Sequence, residues 1–205
     1  MARGNRRLAT GACTVLFAGA AVLTGCKPQG ATAARQFFGV VTEAPKVAYV
    51  IEGSGSMIDS IMYVKRELKR SIRQLKPNQM FYVAFASSGP AREMPARKLV
   101  PATEANKQAA CEFIDSYVPA GQTDLTDSLR RAFEVGAEVI YVLSDGEFEE
   151  RTVDLVDRLN SDRKVKVNTV CFLYASGEML LKEIARRNGG TYKYVSEDDL
   201  ERIGK

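Results

Sequence analysis

The 205-residue sequence contains no histidine and no tryptophan. Without an imidazole there is no Ser-His triad, no Cys-His dyad, no histidine-ligated zinc and no imidazole acid–base catalyst. A Gly-Lys-Ser/Thr phosphate loop is also missing. Gly53-Ser54-Gly55 opens like a dinucleotide-binding pattern, but Ile58 stands where the third glycine belongs. Any active centre must therefore draw on carboxylates, hydroxyls, Lys and Arg, thiols or a bound metal. Excess charge is scarce too. The chain has 29 basic and 25 acidic residues, a formal +4, with 45% hydrophobic and 26% charged residues. These are the proportions of a globular protein, not of a disordered or fibrous one.

The amino terminus reads as an address. Arg3, Arg6 and Arg7 precede 18 uncharged residues from Leu8 to Gly25, the pattern of a secretory signal. A spanning helix needs about 20 apolar residues. Leu23-Thr24-Gly25-Cys26 resembles the lipobox of bacterial lipoproteins, in which the cysteine becomes the new amino terminus and carries lipid. A retained single anchor helix is the alternative. Arg6-Arg7 does not extend into a twin-arginine signal. Removing residues 1–25 takes away three basic residues and leaves 26 against 25 acidic ones, so no nucleic-acid footprint remains. Lys27 after the lipidated Cys26 leans, by resemblance to lipoproteins of two-membrane bacteria, towards the outer membrane. The expectation is an exported protein, lipid-anchored to the cell or outer membrane, with its domain on the periplasmic or extracellular side. Of the remaining cysteines, Cys13 leaves with the signal. Cys111 and Cys171 read as two separate buried thiols, although an exported compartment would permit their pairing.

Residues 26–45 are rich in Ala, Gly, Thr, Gln and Pro and read as a flexible tether. From residue 46 to 205, short apolar runs alternate with helical patterns. Strands are expected at 47–51, 80–86, 139–143, 165–173 and 192–195. An edge strand is the most that 91–100 can form, because Pro95 interrupts it. Helices are expected at 57–75, 103–117, from Leu125 through Phe133, at 149–160, at 177–187 and at 197–203. This alternation predicts an α/β fold, a doubly wound, mostly parallel sheet with helices on both faces and one antiparallel edge strand.

Ligands of such sheets bind beyond the carboxyl ends of the strands, near the point where strand order reverses. Glu52-Gly53-Ser54-Gly55-Ser56 follows the first strand, and Ser144-Asp145-Gly146 follows the strand that opens the second half. Gly121-Gln122-Thr123-Asp124 is a third loop of the same character. In this order the three segments resemble the von Willebrand factor type A domain and its metal-ion-dependent adhesion site, over residues 46–196. That family carries Asp-x-Ser-x-Ser, a later threonine and a later aspartate. The resemblance implies a metal site of Glu52, Ser54, Ser56, Thr123 and Asp145, with no catalytic residues, so the chain is not read as an enzyme. It implies a divalent cation, Mg²⁺ first, with Mn²⁺ and Ca²⁺ as alternatives. It also implies a partner, an envelope protein presenting an acidic residue to the ion.

One departure stands out. Glu52 replaces the family's first aspartate, which places the carboxylate about 1.5 Å further from the backbone. Mg²⁺ wants near-octahedral oxygens at roughly 2.0–2.1 Å, so the longer arm either ligates directly or crowds the ion. Two other functions therefore stand beside the metal-dependent one, a metal-free scaffold with a degenerate site and a metal-assisted hydrolase. Each residue also has a purely structural reading. Ser56 and Thr123 or Thr126 suit helix caps, and Asp145-Gly146 suits a turn. The basic run Lys65, Arg66, Lys69, Arg70 and Arg73 reads as a solvated helix face, with a lipid or partner contact as the alternative.

Overall fold

The computed structural model describes residues 36–146 and 148–203. The signal segment, Cys26 and Glu147 lie outside the described residues. Among those described, no helix is long and apolar enough to cross a membrane.

The chain enters through a hairpin of β1 (Gln36–Phe37) and β2 (Val40–Val41). It then alternates between sheet and helix: β3 (Lys46–Glu52), α1 (Ile61–Arg73), β4 (Met80–Ala86), β5 (Arg92–Met94), β6 (Val100–Pro101), α2 (Glu104–Ser116), α3 (Thr126–Glu134), β7 (Val139–Ser144), α4 (Arg151–Leu159), β8 (Lys166–Phe172), α5 (Glu178–Arg187), β9 (Tyr192–Val195) and α6 (Glu197–Ile203). The main sheet runs β5-β4-β3-β7-β8-β9, with β6 also on β4. β4, β3, β7, β8 and β9 are mutually parallel where they pair. The expected antiparallel edge exists in two short pieces, β5 and β6, both paired with β4. Pro95 falls between them, where no ladder hydrogen bond is asked of it.

β3, β4 and β7 are apolar along almost their whole length because the sheet is covered on both faces. Val47, Tyr49, Ile51, Phe81, Phe85 and Tyr141 point to the side packed by α1, α2 and α6. Ala48, Val50, Tyr82, Ala84, Ile140 and Val142 point to the side packed by α3, α4 and α5. Cys111 and Cys171 are separate buried thiols, and burial pushes the Cys171 thiol up to about 11.

The tether expected over 26–45 requires a correction. Residues 36–45 belong to the folded domain. Phe37 is 0% exposed and Phe38 only 4%. Phe38 and Gly39 both have positive φ, 48° and 85°, so they form the two-residue turn whose twist matches a hairpin. The Phe38 backbone N–H donates to Glu67 Oε1 at 2.8 Å. Tyr141 Oη donates to the Val40 carbonyl at 3.0 Å. Aromatic burial overrides the polar, glycine-containing look of the segment.

Candidate functional site

β3 and β7 are parallel neighbours at the centre of the sheet, with Ile51 opposite Leu143. The chain leaves β3 towards β4 on one side and reaches β7 on the other. Their carboxyl ends therefore form the switch point, and Glu52 and Asp145 emerge there side by side. The third loop is brought in by backbone stitching. Ala120 N donates to Gly53 O at 3.0 Å, and Gly55 N donates to Gly121 O at 2.9 Å. Tyr117 supports the same crossing, donating to Gly53 O at 2.9 Å while its ring stacks on Phe85 at 3.9 Å. Gly53 has to be glycine here, since a Cβ would stand 2.2 Å from the Tyr117 hydroxyl.

All five residues expected at the site converge. Glu52 Oε1 accepts from Ser54 Oγ at 2.6 Å, from Thr123 Oγ1 at 2.5 Å and more weakly from Ser56 Oγ at 3.5 Å. Ser56 Oγ also donates to Asp145 Oδ2. Ser54 Oγ and Ser56 Oγ stand 2.8 Å apart. Glu52, Ser54 and Asp145 are buried, Thr123 is half-buried and Ser56 is exposed. The two carboxylates and Ser54 thus lie beneath, with the Thr123 and Ser56 hydroxyls towards solvent.

Ser144 is a contributor that the spacing alone did not single out. Its hydroxyl donates to Glu52 Oε2 at 2.5 Å and accepts from Gly146 N at 2.9 Å. Asp145 N donates to Glu52 Oε2 at 3.1 Å. A serine closing an otherwise apolar, fully buried strand was the available signal. The extra methylene of Glu52 now has a visible consequence. One carboxylate reaches the Ser54 and Thr123 hydroxyls with one oxygen and the β7 terminus with the other, so it ties all three loops together.

The capping readings fail on geometry. Ser56 lies inside a 3₁₀ turn, Gly55–Met57, and α1 starts only at Ile61, with no side-chain cap bond from Ser60. Asp124 Oδ1 accepts from Thr126 N at 2.8 Å at the start of α3, which leaves Thr123 free to face Glu52.

Every hydrogen-bond donor to Glu52 described here is neutral. Burial lifts the Glu52 carboxyl above the usual carboxylate range and the nearby Asp145 charge adds to the rise, while hydrogen bonds from Ser144, Ser54 and Thr123 work against it. Two carboxylates held together away from water are an electrostatic cost that a cation offsets.

The oxygen set fits a hard divalent ion. Each hydroxyl has one proton and two lone pairs. When Ser54 and Thr123 give their protons to Glu52, and Ser56 gives its proton to Asp145, each hydroxyl oxygen keeps lone pairs to offer an ion. The 2.8 Å separation of Ser54 and Ser56 is then a contact between two oxygens with no proton between them. Adjacent ligands of an octahedral ion with bonds near 2.1 Å stand about 3.0 Å apart. Among the described residues no group of three or more His, Cys, Asp or Glu side chains could hold a metal, so hydroxyls would supply much of any shell.

Comparison with known proteins gives the same frame. The family profile described as von Willebrand factor type A domain matches residues 46–194. Inter-alpha-trypsin inhibitor heavy chain H1 of Mesocricetus auratus is 32% identical over 123 residues, 53% of this chain and 13% of that protein. The structure of a von Willebrand factor type A protein from Catenulispora acidiphila superposes with a TM-score of 0.63 at 22% identity, covering 81% of this chain and 43% of that one. Proximal thread matrix protein 1 from the mussel byssus, in a structure with a zinc-occupied MIDAS motif, has a TM-score of 0.58 at 18% identity, over 78% of this chain and 44% of that one. This chain thus spans less than half the length of each of these three relatives. With the profile covering most of the chain and the central sheet arranged as described, the protein belongs to the von Willebrand factor type A domain family.

Proposed function

We propose that the protein is a membrane-anchored recognition module that binds an acidic partner through a divalent cation at the sheet edge. Ser54, Ser56 and Thr123 would hold the ion through their hydroxyl oxygens, with Glu52 and Asp145 beneath them offsetting its charge. The carrying observation is the pair of serine oxygens 2.8 Å apart, each with a carboxylate to take its proton. An ion bound there supplies an electrophilic position that a carboxylate of the partner completes. The chain's own part is orientation. Glu52 keeps the three loops in register, and Tyr117 braces the first of them. With no histidine in the sequence and Glu52 engaged by its neighbours, the reading is binding without catalysis.

The ion is tested by titrating the purified protein with Mg²⁺, Mn²⁺ and Ca²⁺ in a calorimeter. Binding heat is expected from the native protein and none from Ser54→Ala, whose stability falls by only about 1–2 kcal/mol, the scale of a cap-like hydrogen bond. Equal ion affinity in the two proteins would overturn the assignment. A native protein that gives no heat and no gain in melting temperature with any of the three ions leaves the metal-free scaffold.

The anchoring rests on the Leu23-Thr24-Gly25-Cys26 pattern behind its basic, apolar leader. It predicts an exported lipoprotein whose domain stands outside the cytoplasm. Cys26→Ser is expected to abolish incorporation of a labelled fatty acid and to leave the leader uncleaved. Undiminished labelling of that variant would refute the lipobox.

A further inference from the structure

Helix α1 carries five basic residues, Lys65, Arg66, Lys69, Arg70 and Arg73, and one acidic residue, Glu67. Glu67 is turned inward and fully buried, where it accepts from the Phe38 backbone and from both Arg70 Nε and Nη2. Lys65 also turns inward, donating to the carbonyls of Asp115 and Tyr117 at 3.0 and 2.6 Å. The outward stripe is Met62, Tyr63, Arg66, Lys69, Arg70 and Arg73 at helical spacing. It contains no acidic side chain itself, but among the described residues Asp115 of α2 pairs with Lys69, the buried Glu67 pairs with Arg70, and the exposed Asp59 stands one turn before Met62 and Tyr63. At the amino-terminal end of the stripe lie exposed apolar groups, Ile58 at 60%, Met62 at 66% and Tyr63 at 38%. An apolar end on a basic stem is the composition of a helix that rests on a lipid surface.

The way the chain joins the fold points to the same face. The β1–β2 hairpin sits against α1, fastened by the Phe38–Glu67 bond. Only residues 27–35 separate Cys26 from Gln36, a stretch that spans at most about 35 Å when fully extended. A lipid on Cys26 would therefore keep α1 close to the bilayer.

We propose that the exposed face of α1 lies on an anionic lipid surface, with Ile58, Met62 and Tyr63 at headgroup depth and Arg66, Lys69, Arg70 and Arg73 against lipid phosphates. The inference rests on the anchoring reading for proximity alone, since charge and the apolar end supply the attraction. Docking would fix how the recognition edge is presented. Ser56 lies in the 3₁₀ turn Gly55–Met57 that leads into α1, so the ion site would sit at the rim of the docked domain, open to a partner from the side.

The absence of tryptophan makes a clean test. Tyr63→Trp is introduced into the full chain, and folding is checked by circular dichroism. The protein is mixed with vesicles of brominated phosphatidylcholine, alone or with phosphatidylglycerol. Quenching of the single tryptophan is expected in the phosphatidylglycerol vesicles and not in phosphatidylcholine alone. Met179→Trp, on α5 at the opposite face of the sheet, is expected to stay unquenched in both. Adding Arg66→Gln and Arg73→Gln to Tyr63→Trp should reduce the docked population about 25-fold, roughly fivefold per charge near an anionic surface. If Tyr63→Trp is quenched no more than Met179→Trp in phosphatidylglycerol vesicles, the docking face is wrong. Flotation reads the anchor separately. Protein that floats with phosphatidylcholine but is unquenched in both vesicle types is anchored and undocked, which overturns this inference alone. Protein that fails to float with phosphatidylcholine yet is quenched with phosphatidylglycerol supports docking without the anchor.

Discussion

Replacing Phe37 with alanine is expected to cost about 3–5 kcal/mol of stability, the range for a large aromatic removed from a closed core. The ring is 0% exposed and sits among Phe38, Tyr49 and Tyr141 with centroids 5.1, 5.4 and 5.5 Å away, each packed edge-on. Tyr49 and Tyr141 stack on each other at 5.5 Å beneath it. Their hydroxyls are already committed, Tyr49 to Ser71 at 2.8 Å and Tyr141 to Val40 O at 3.0 Å, so neither ring can swing into the space without breaking a buried bond. That is the condition under which a cavity stays open and its cost stays high. Urea denaturation monitored by circular dichroism measures the loss. A change below about 0.5 kcal/mol, the level of an ordinary surface substitution, would mean that the hairpin is an appendage and that the domain begins at β3.

Glu52→Ala carries the second large effect, and it acts on two quantities at once. Removing the carboxylate leaves the Ser144 hydroxyl and the Asp145 N–H buried without their acceptor, and buried orphans cost about 1–3 kcal/mol each. Thr123 lies nearer solvent and can turn to water, and the buried Ser54 keeps the Ser56 hydroxyl as a partner. Relief of the repulsion from Asp145 works in the opposite direction. The net expectation is a loss of about 2–4 kcal/mol, set by the two deep orphans. Ion affinity is expected to fall by roughly 10–100-fold, as when a group that orients metal ligands is removed. Glu52→Gln separates the two effects. Its side chain has the same length and keeps one carbonyl acceptor, so it should lose less stability than alanine while losing the charge and comparable ion affinity. Urea denaturation without ion and calorimetry with it measure the pair. Unchanged stability in Glu52→Ala would mean that the three loops hold themselves without the carboxylate.

Glu52 also shows how far residue patterns carry and where they stop. A glutamate in place of aspartate raises two outcomes from sequence, direct ligation or crowding, and pattern alone does not choose. The choice depends on where the terminal oxygens fall relative to a strand more than ninety residues later in the chain. In the fold they reach Ser144 and the Asp145 backbone on one side and Ser54 and Thr123 on the other. The added length is spent on linking loops. Ser144 was hidden for the same reason, because a serine closing an apolar strand signals only a buried polar group, and the fold decides which acceptor stands opposite it.

The parallel sheet and its two helical layers were legible because periodicity is local. Met80–Ala86 and Val139–Ser144 are apolar on both faces, which only a doubly covered sheet accommodates. The sheet-edge constellation was legible because strand–helix alternation forces successive loops to one end. The hairpin at residues 36–41 was not, since two-residue strands have no period to detect. Its signal was confined to Phe37, a Phe-Gly turn and Val40 inside a segment of weak composition. Alternation and loop chemistry thus determined the architecture and which side chains meet at its edge. Tertiary structure alone decided that Phe37 is core, that Glu52 joins three loops and that the basic residues of α1 divide into buried ties and an exposed stripe. These depend on what lies across the fold from each residue, and short-range sequence order does not encode it.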